Sequence, residues 1–237
     1  MNTHPLVSEL RAELSLHADP VRAESANRYF KEGIKCYGIP AAKTREIGKR
    51  FNAVVKGIEK DELIKLCLEI FEADVFDESI IAISWLMLKK KELKPEDWVW
   101  LDAVVDKRIS NWAVCDTFCN HLVGSFLDKY PEYASRLLGW TSSSNRWKKR
   151  AAAVSLIVPA KKGKFGKEVF AIAERLLGDS DDMVQKGYGW LLKVFAQSEQ
   201  EEVEAFLRKH VKKISRTAFR YAIEKFPSAL KSELMAL

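Results

Sequence analysis

Apolar residues along this chain recur at intervals of three and four, the spacing that gathers them on one face of a helix. Leu63, Leu66, Cys67, Ile70 and Phe71 form one such set. Segments of this kind, about 10 to 16 residues long, follow one another along the sequence. No run alternates between apolar and polar residues as a half-buried strand would. The 7 prolines and 11 glycines fall mostly between the segments. Pro95 in LKPEDWVWL and Pro131 in KYPEYASRLL suit a first helical turn, as do Asp77 and Glu78 ahead of SIIAISWLML. The pattern predicts roughly 14 helices joined by short loops, and therefore an all-α fold.

The segments also repeat. DESIIAISWLMLKK (77–90) and DMVQKGYGWLLKVF (182–195) share an acidic start and a Trp-Leu pair eight residues on. Trp85 and Trp190 are thus 105 residues apart, three steps of 35. Between them, NWAVCDTFCNHLVG and NRWKKRAAAVSLIV start at Asn111 and Asn145, 34 apart. A strand-free period of this length is that of stacked helix pairs, and since the tetratricopeptide consensus is not visible, HEAT-like pairs are expected. Equivalent helices in such a stack line one surface. Steps of 34 and then 36 residues carry Asp116 onto Arg150 and Lys186, one charged residue per repeat.

Four places carry candidate chemistry. Trp112 and Asp116 are four apart and share a helix face in an otherwise apolar segment. A carboxylate beside an aromatic face suits a cationic or oxocarbenium-like species, although structural carboxylates outnumber catalytic ones. Cys115, Cys119 and His121 do not converge: His121 points away from the two thiols, and no second cluster completes a metal site, so all three are read as packing. NRWKKR places Arg146, Lys149 and Arg150 on adjoining helix positions behind the capping run SSSN, a face suited to phosphate, and AKKGK (160–164) extends its basic character. Lys212, Lys213 and Arg216 form a weaker basic group. Gly187 and Gly189 in QKGYGW each disfavour a helix by about 1 kcal/mol relative to Ala. Close approach of another helix and access to the Trp190 ring remain equally open explanations.

Composition changes this picture little. A hydrophobic fraction of 47% suits a globular chain with a sizeable core, and a net charge of +6 with pI near 9.0 permits nucleic acid as a partner without demonstrating it. MNTHPLVSELRAELSLHADP lacks the apolar core of a secretory signal, and stretches such as SIIAISWLML are too short to span a membrane. The 4 cysteines form no CxxC pair, which fits reduced thiols. A soluble cytoplasmic protein is expected, with no membrane association.

In order along the chain, RYFKEGIKCYGIPAAKTREIGKRF, SNWAVCDTF, SSNRWKKRAA and VQKGYGWLLKVFA resemble the DNA alkylation repair family, DNA glycosylases built from HEAT-like repeats. The resemblance covers essentially the whole chain. It implies one domain over residues 1–237, a right-handed superhelical stack of HEAT-like pairs with a concave DNA-binding face, acting as a monomer. It also implies excision of cationic N3- and N7-alkylated purines, such as 3-methyladenine and 7-methylguanine, from double-stranded DNA, with no metal and no organic cofactor. On it, Trp112, Asp116 and Trp190 fall on catalytic positions, Arg150 on a DNA-contacting arginine and Tyr29 on a tyrosine that contacts the lesion-bearing duplex. Arg146, Lys149 and Lys186 are further candidates for the DNA backbone. The chain departs from the pattern at Asn111, where some relatives carry a second tryptophan, and at Pro40, which comes early in its loop. A catalytically inactive DNA-binding relative and a HEAT-like protein-interaction scaffold are the alternatives.

Overall fold

The structure, a computed structural model, describes residues 4–237. It divides into two compact units, one up to residue 118 and the other over residues 119–237. The first holds α1 (Pro5–Leu16), α2 (Pro20–Tyr29), α3 (Ala41–Arg50), α4 (Asn52–Gly57), α5 (Lys60–Glu72), α6 (Phe76–Leu88), α7 (Trp98–Lys107) and α8 (Trp112–Phe118). The second opens with a π-helical turn, Cys119–Val123. It continues through α9 (Gly124–Lys129), α10 (Leu137–Trp140), α11 (Arg146–Val154), α12 (Ile157–Ala160), α13 (Gly166–Leu176), α14 (Asp182–Phe195), α15 (Gln200–His210), α16 (Arg216–Ala222) and α17 (Ser228–Met235). Among the described residues there is no strand, only an isolated bridge between Lys35 and Val75. The fold is all-α. It has more helices than periodicity predicts because α4, α10 and α12 span only one or two turns, too few to show a repeat.

Local signals account for the longer elements. In α5, Leu63, Leu66, Cys67, Ile70 and Phe71 are all buried, as their spacing requires. Pro95 and Pro131 do begin helical structure, but as short 3-10 segments, Pro95–Asp97 and Pro131–Arg136, that lead into α7 and α10. Asp77 and Glu78 occupy the first turn of α6, where negative charge meets the positive end of the helix dipole.

The repeat is clearest in the capping residues. Backbone N–H groups at the starts of α8, α11, α14 and α16 donate to the side chains of Asn111, Asn145, Asp181 and Ser215. These caps are 34, 36 and 34 residues apart. Long-range polar contacts keep the same period. Trp85 Nε1 donates to the Gly48 carbonyl at 3.0 Å, Lys60 to Asp97 at 2.7 Å and Ser110 to Asp74 at 2.6 Å, over separations of 37, 37 and 36 residues. In the second unit Lys164 reaches Asp128 at 2.6 Å over 36 residues. Within each unit these contacts link neighbouring repeats, as in a solenoid.

Cap positions also correct the equivalence of the two tryptophans. Trp85 lies ten residues beyond Val75, the N-cap of α6, whereas Trp190 lies nine beyond Asp181. One residue turns a helical side chain by about 100°. Trp85 is accordingly fully buried, and Ser84, at the position matching Trp190, is exposed.

In the first unit, the loop between α2 and α3 decides where α2 lies. Helix α2 buries no side chain of its own. Gly38, at φ +75°, lets the loop backbone pass so close to the start of α2 that a Cβ there would sit 2.2 Å from the Asp19 carbonyl oxygen. Asp19 in turn caps α2. Tyr37 and Asp77 lock the loop to α6: the Tyr37 N–H donates to Asp77 at 2.7 Å, and its hydroxyl donates to Glu78 at 2.9 Å. Arg11 of α1 closes this buried cluster through a bidentate pair with Glu78. Burial raises the pKa of Asp77, while burial and the Glu78 carboxylate push the Tyr37 phenol up to about 12.

Candidate functional site

Asn111 starts the site in the first unit. It is buried, and its side chain accepts the Val114 N–H at 3.0 Å, so the departure at this position serves as the N-cap of α8. Val114, Cys115 and Phe118 turn into the core, where Phe118 meets Phe71 and Trp100 edge-on. The remaining face of α8 carries Trp112 and Asp116, both half-buried. Trp112 stacks on Phe30 at 5.4 Å between ring centroids and 19° between planes. Tyr29 meets the same indole at 6.0 Å and 64°, with 71% of its own surface exposed. Such ring contacts contribute about 0.5–1.5 kcal/mol each beyond burial. They hold the indole in a fixed plane one helical turn before the Asp116 carboxylate.

Beyond Phe118 the chain enters the π-helical turn, which changes the register assumed for Cys119 and His121. Cys115 and Cys119 are buried free thiols, as their apolar setting implies. His121 is exposed rather than packed, because the wider turn carries it to the surface. No group of three or more His, Cys, Asp and Glu side chains among the described residues could hold a metal ion.

In the second unit the basic face of α11 is built around α14. Arg150 is only 5% exposed, and its Nη1 donates to the Met183 carbonyl at 2.6 Å. Its aliphatic stem crosses α14 at Gly187, where a Cβ would lie 3.2 Å from Arg150 Cγ. Gly189 has a different cause: a Cβ there would lie 2.8 Å from both the Ala218 carbonyl oxygen and Tyr221 Cβ. One glycine thus admits an arginine and the other admits α16. Trp190 follows them, half-buried.

The other basic residues of this face carry aspartate partners, about one repeat on for Arg146 and Lys149 and one helical turn back for Lys186. Arg146 pairs with Asp181 at 2.8 Å and approaches Asp182 at 3.6 Å, Lys149 pairs with Asp179, and Lys186 pairs with Asp182 at 3.1 Å. Arg146 also lies over the Trp147 ring at 4.8 Å. The face thereby spends much of its charge internally.

The sequence model of the family described as DNA alkylation repair enzyme matches residues 10–226. The chain belongs to that family. DNA is accordingly the partner of this alkylation repair enzyme. Among solved structures it is similar to a predicted DNA alkylation repair enzyme from Enterococcus faecalis, with a TM-score of 0.80 and 17% identity over 90% of this chain and 98% of that one. It is also similar to AlkD2 from Streptococcus mutans, with a TM-score of 0.59 and 23% identity over 78% of this chain and 90% of that one. At these identities the likeness concerns the fold. No curated protein matches the sequence. No helix among the described residues is long and apolar enough to cross a membrane.

Within the alkylation repair enzyme, then, Tyr29, Trp112 and Asp116 belong to the first unit, while Arg146, Lys149, Arg150, Lys186 and Trp190 belong to the second. Tyr29 and Trp112 are in ring contact, and the basic residues gather where α11 meets α14. Reasoning from sequence missed Phe30, for which no spacing gives a signal. It also missed Asp179, Asp181 and Asp182. The run DSDD (179–182) stands about one repeat beyond NRWKKR, so the period itself could have paired the two.

Proposed function

We propose that this alkylation repair enzyme is a monofunctional DNA glycosylase, acting as a monomer, that releases cationic N3- and N7-alkylated purines from duplex DNA. The observation that carries the reading is the Trp112 ring, held against both Phe30 and Tyr29 one turn before Asp116. An alkylated purine already bears positive charge, so its glycosidic bond breaks with the electron pair passing to the base, which leaves neutral. The sugar left behind resembles an oxocarbenium ion, as in glycoside hydrolysis. Asp116 stabilises that cation and orients a water toward C1′. The water oxygen bonds to C1′ and its proton passes to the carboxylate or to solvent. The Trp112 π face adds cation–π attraction of about 0.5–2 kcal/mol. The sequence resemblance assigns Trp190 to the same reaction and Arg150 to the DNA backbone. Residues 1–237 act as one functional domain in this reading, which the span of the family match across both units supports.

For Arg146, Lys149 and Lys186, binding DNA means exchanging an aspartate for a phosphate. Affinity for undamaged duplex is then modest. The test is incubation with methylated duplex and quantification of free 7-methylguanine and 3-methyladenine, wild type beside Asp116→Asn. Release by the wild type and a drop of about 100-fold or more in the variant is expected for loss of a group acting on the developing charge. Equal release by both would remove Asp116 from the chemistry, and no release by either would favour a binding relative.

A further inference from the structure

The register of the capping residues places one more basic side chain in series with the proposed DNA contacts. Arg150, Lys186 and Arg220 each lie five residues beyond a cap, Asn145, Asp181 and Ser215. Their helices, α11, α14 and α16, pack in succession within the second unit. The surroundings of the three differ sharply. Ahead of α14 the chain supplies Asp179 and Asp181, which neutralise Lys149 and Arg146. Ahead of α16 the matching turn supplies Lys212 and Lys213 instead.

Lys212, Lys213 and Arg220 are exposed, and none of their side chains makes a hydrogen bond or ion pair with a described residue. Glu224, one turn beyond Arg220, is occupied by Lys193 at 2.9 Å and Lys225 at 3.7 Å. Arg216 is tied to the Met235 carbonyl at 2.8 Å. Positive potential is already felt nearby: the pKa of buried His210 is pushed down by burial and then by Lys209, with Lys213 adding to it against the opposing pull of Glu174. The basic charge near α11 is largely matched, and that at the start of α16 is not.

We propose that Lys212, Lys213 and Arg220 form a phosphate-contacting surface that extends the duplex footprint along α16, beyond the α11–α14 face. The partner is the DNA backbone itself, read without regard to base. The inference rests on the DNA reading but not on Asp116 or on glycosidic cleavage. These flexible, solvated side chains hold no carboxylate to be displaced, so they release counterions from DNA at full effect, whereas the paired residues of α11 and α14 do so only in part.

The experiment measures binding of the full-length protein to undamaged duplex against salt. It compares the wild type, the triple variant Lys212→Ala, Lys213→Ala, Arg220→Ala, and a control triple variant Lys56→Ala, Lys65→Ala, Lys107→Ala. The control removes the same formal charge from exposed positions on α4, α5 and α7. The first triple should lower the slope of log K against log salt by about 2.7 and weaken binding several hundred-fold at about 0.1 M salt, at about 0.9 per contact. The control should change the slope by less than one contact. Equal loss in both variants would reduce the effect to net charge and overturn the proposal, as would wild-type affinity in the first triple. A wild type that does not bind duplex at all would overturn the DNA reading and this surface with it.

Discussion

Replacing Gly189 with alanine tests whether the fold, rather than access to Trp190, demands that glycine. Alanine gains about 0.8–1.0 kcal/mol of helix propensity over glycine. Against this, the new methyl would lie 2.8 Å from the Ala218 carbonyl oxygen, 2.9 Å from Ala218 Cα and 2.8 Å from Tyr221 Cβ. Two of these atoms are backbone and the third is attached to it, so α16 must move as a body. Overpacking typically costs about 1–3 kcal/mol, and an obstacle that cannot rotate away belongs at the upper end of that range. The net effect is a loss of about 2 kcal/mol, which for a chain of this length lowers Tm by about 4–8 °C. Gly187→Ala meets only the flexible Arg150 stem at 3.2 Å, so gain and loss nearly cancel and Tm stays within about 2 °C. Gly139→Ala in α10, with nothing within 4 Å, serves as the open-space control. Thermal melting of the three variants beside the wild type decides the matter. A Gly189→Ala protein melting at or above the wild-type temperature would refute the close-approach argument and return the glycine to the Trp190 question.

Two further outcomes follow from buried or paired charge. Tyr37→Phe removes the 2.9 Å bond to Glu78 and should cost about 1.5–3 kcal/mol, the range for a hydrogen bond to a charged group. Because the folded pKa of Tyr37 is raised to about 12 from an ordinary value of 10.0, the wild-type advantage should be complete below pH 10 and vanish as pH rises through 12, which paired denaturation curves across that window would show. Asp181→Asn keeps an acceptor for the cap of α14 but removes the charge that holds Arg146. Affinity for undamaged duplex should rise severalfold with a steeper salt dependence, and an unchanged slope would mean that Arg146 does not face DNA.

The all-α class, the repeat length and the pairing of Trp112 with Asp116 were legible along the chain because each depends on residues a few positions apart or on a period that recurs. The spacing of Asn111 and Asn145 was more informative than that of the tryptophans. A cap is fixed by the backbone it must bond, while an aromatic residue can shift one position and change from lining to core, as Trp85 does. Basic residues were legible as charge but not as free charge, since Asp179 and Asp181 lie 30 or more residues from Lys149 and Arg146, the side chains they hold.

Hydrophobic spacing and capping chemistry, both local, determined which segments are helices and where the inner ones begin. Tertiary structure alone decided that Phe30 backs Trp112, that Gly187 admits Arg150 while Gly189 admits α16, and that the unmatched cations of the second unit include those at the start of α16. Those outcomes depend on close packing and on Coulomb pairing between atoms distant in sequence. Both change over a few ångströms, a scale set by how helices dock and not by the order of residues within any one of them.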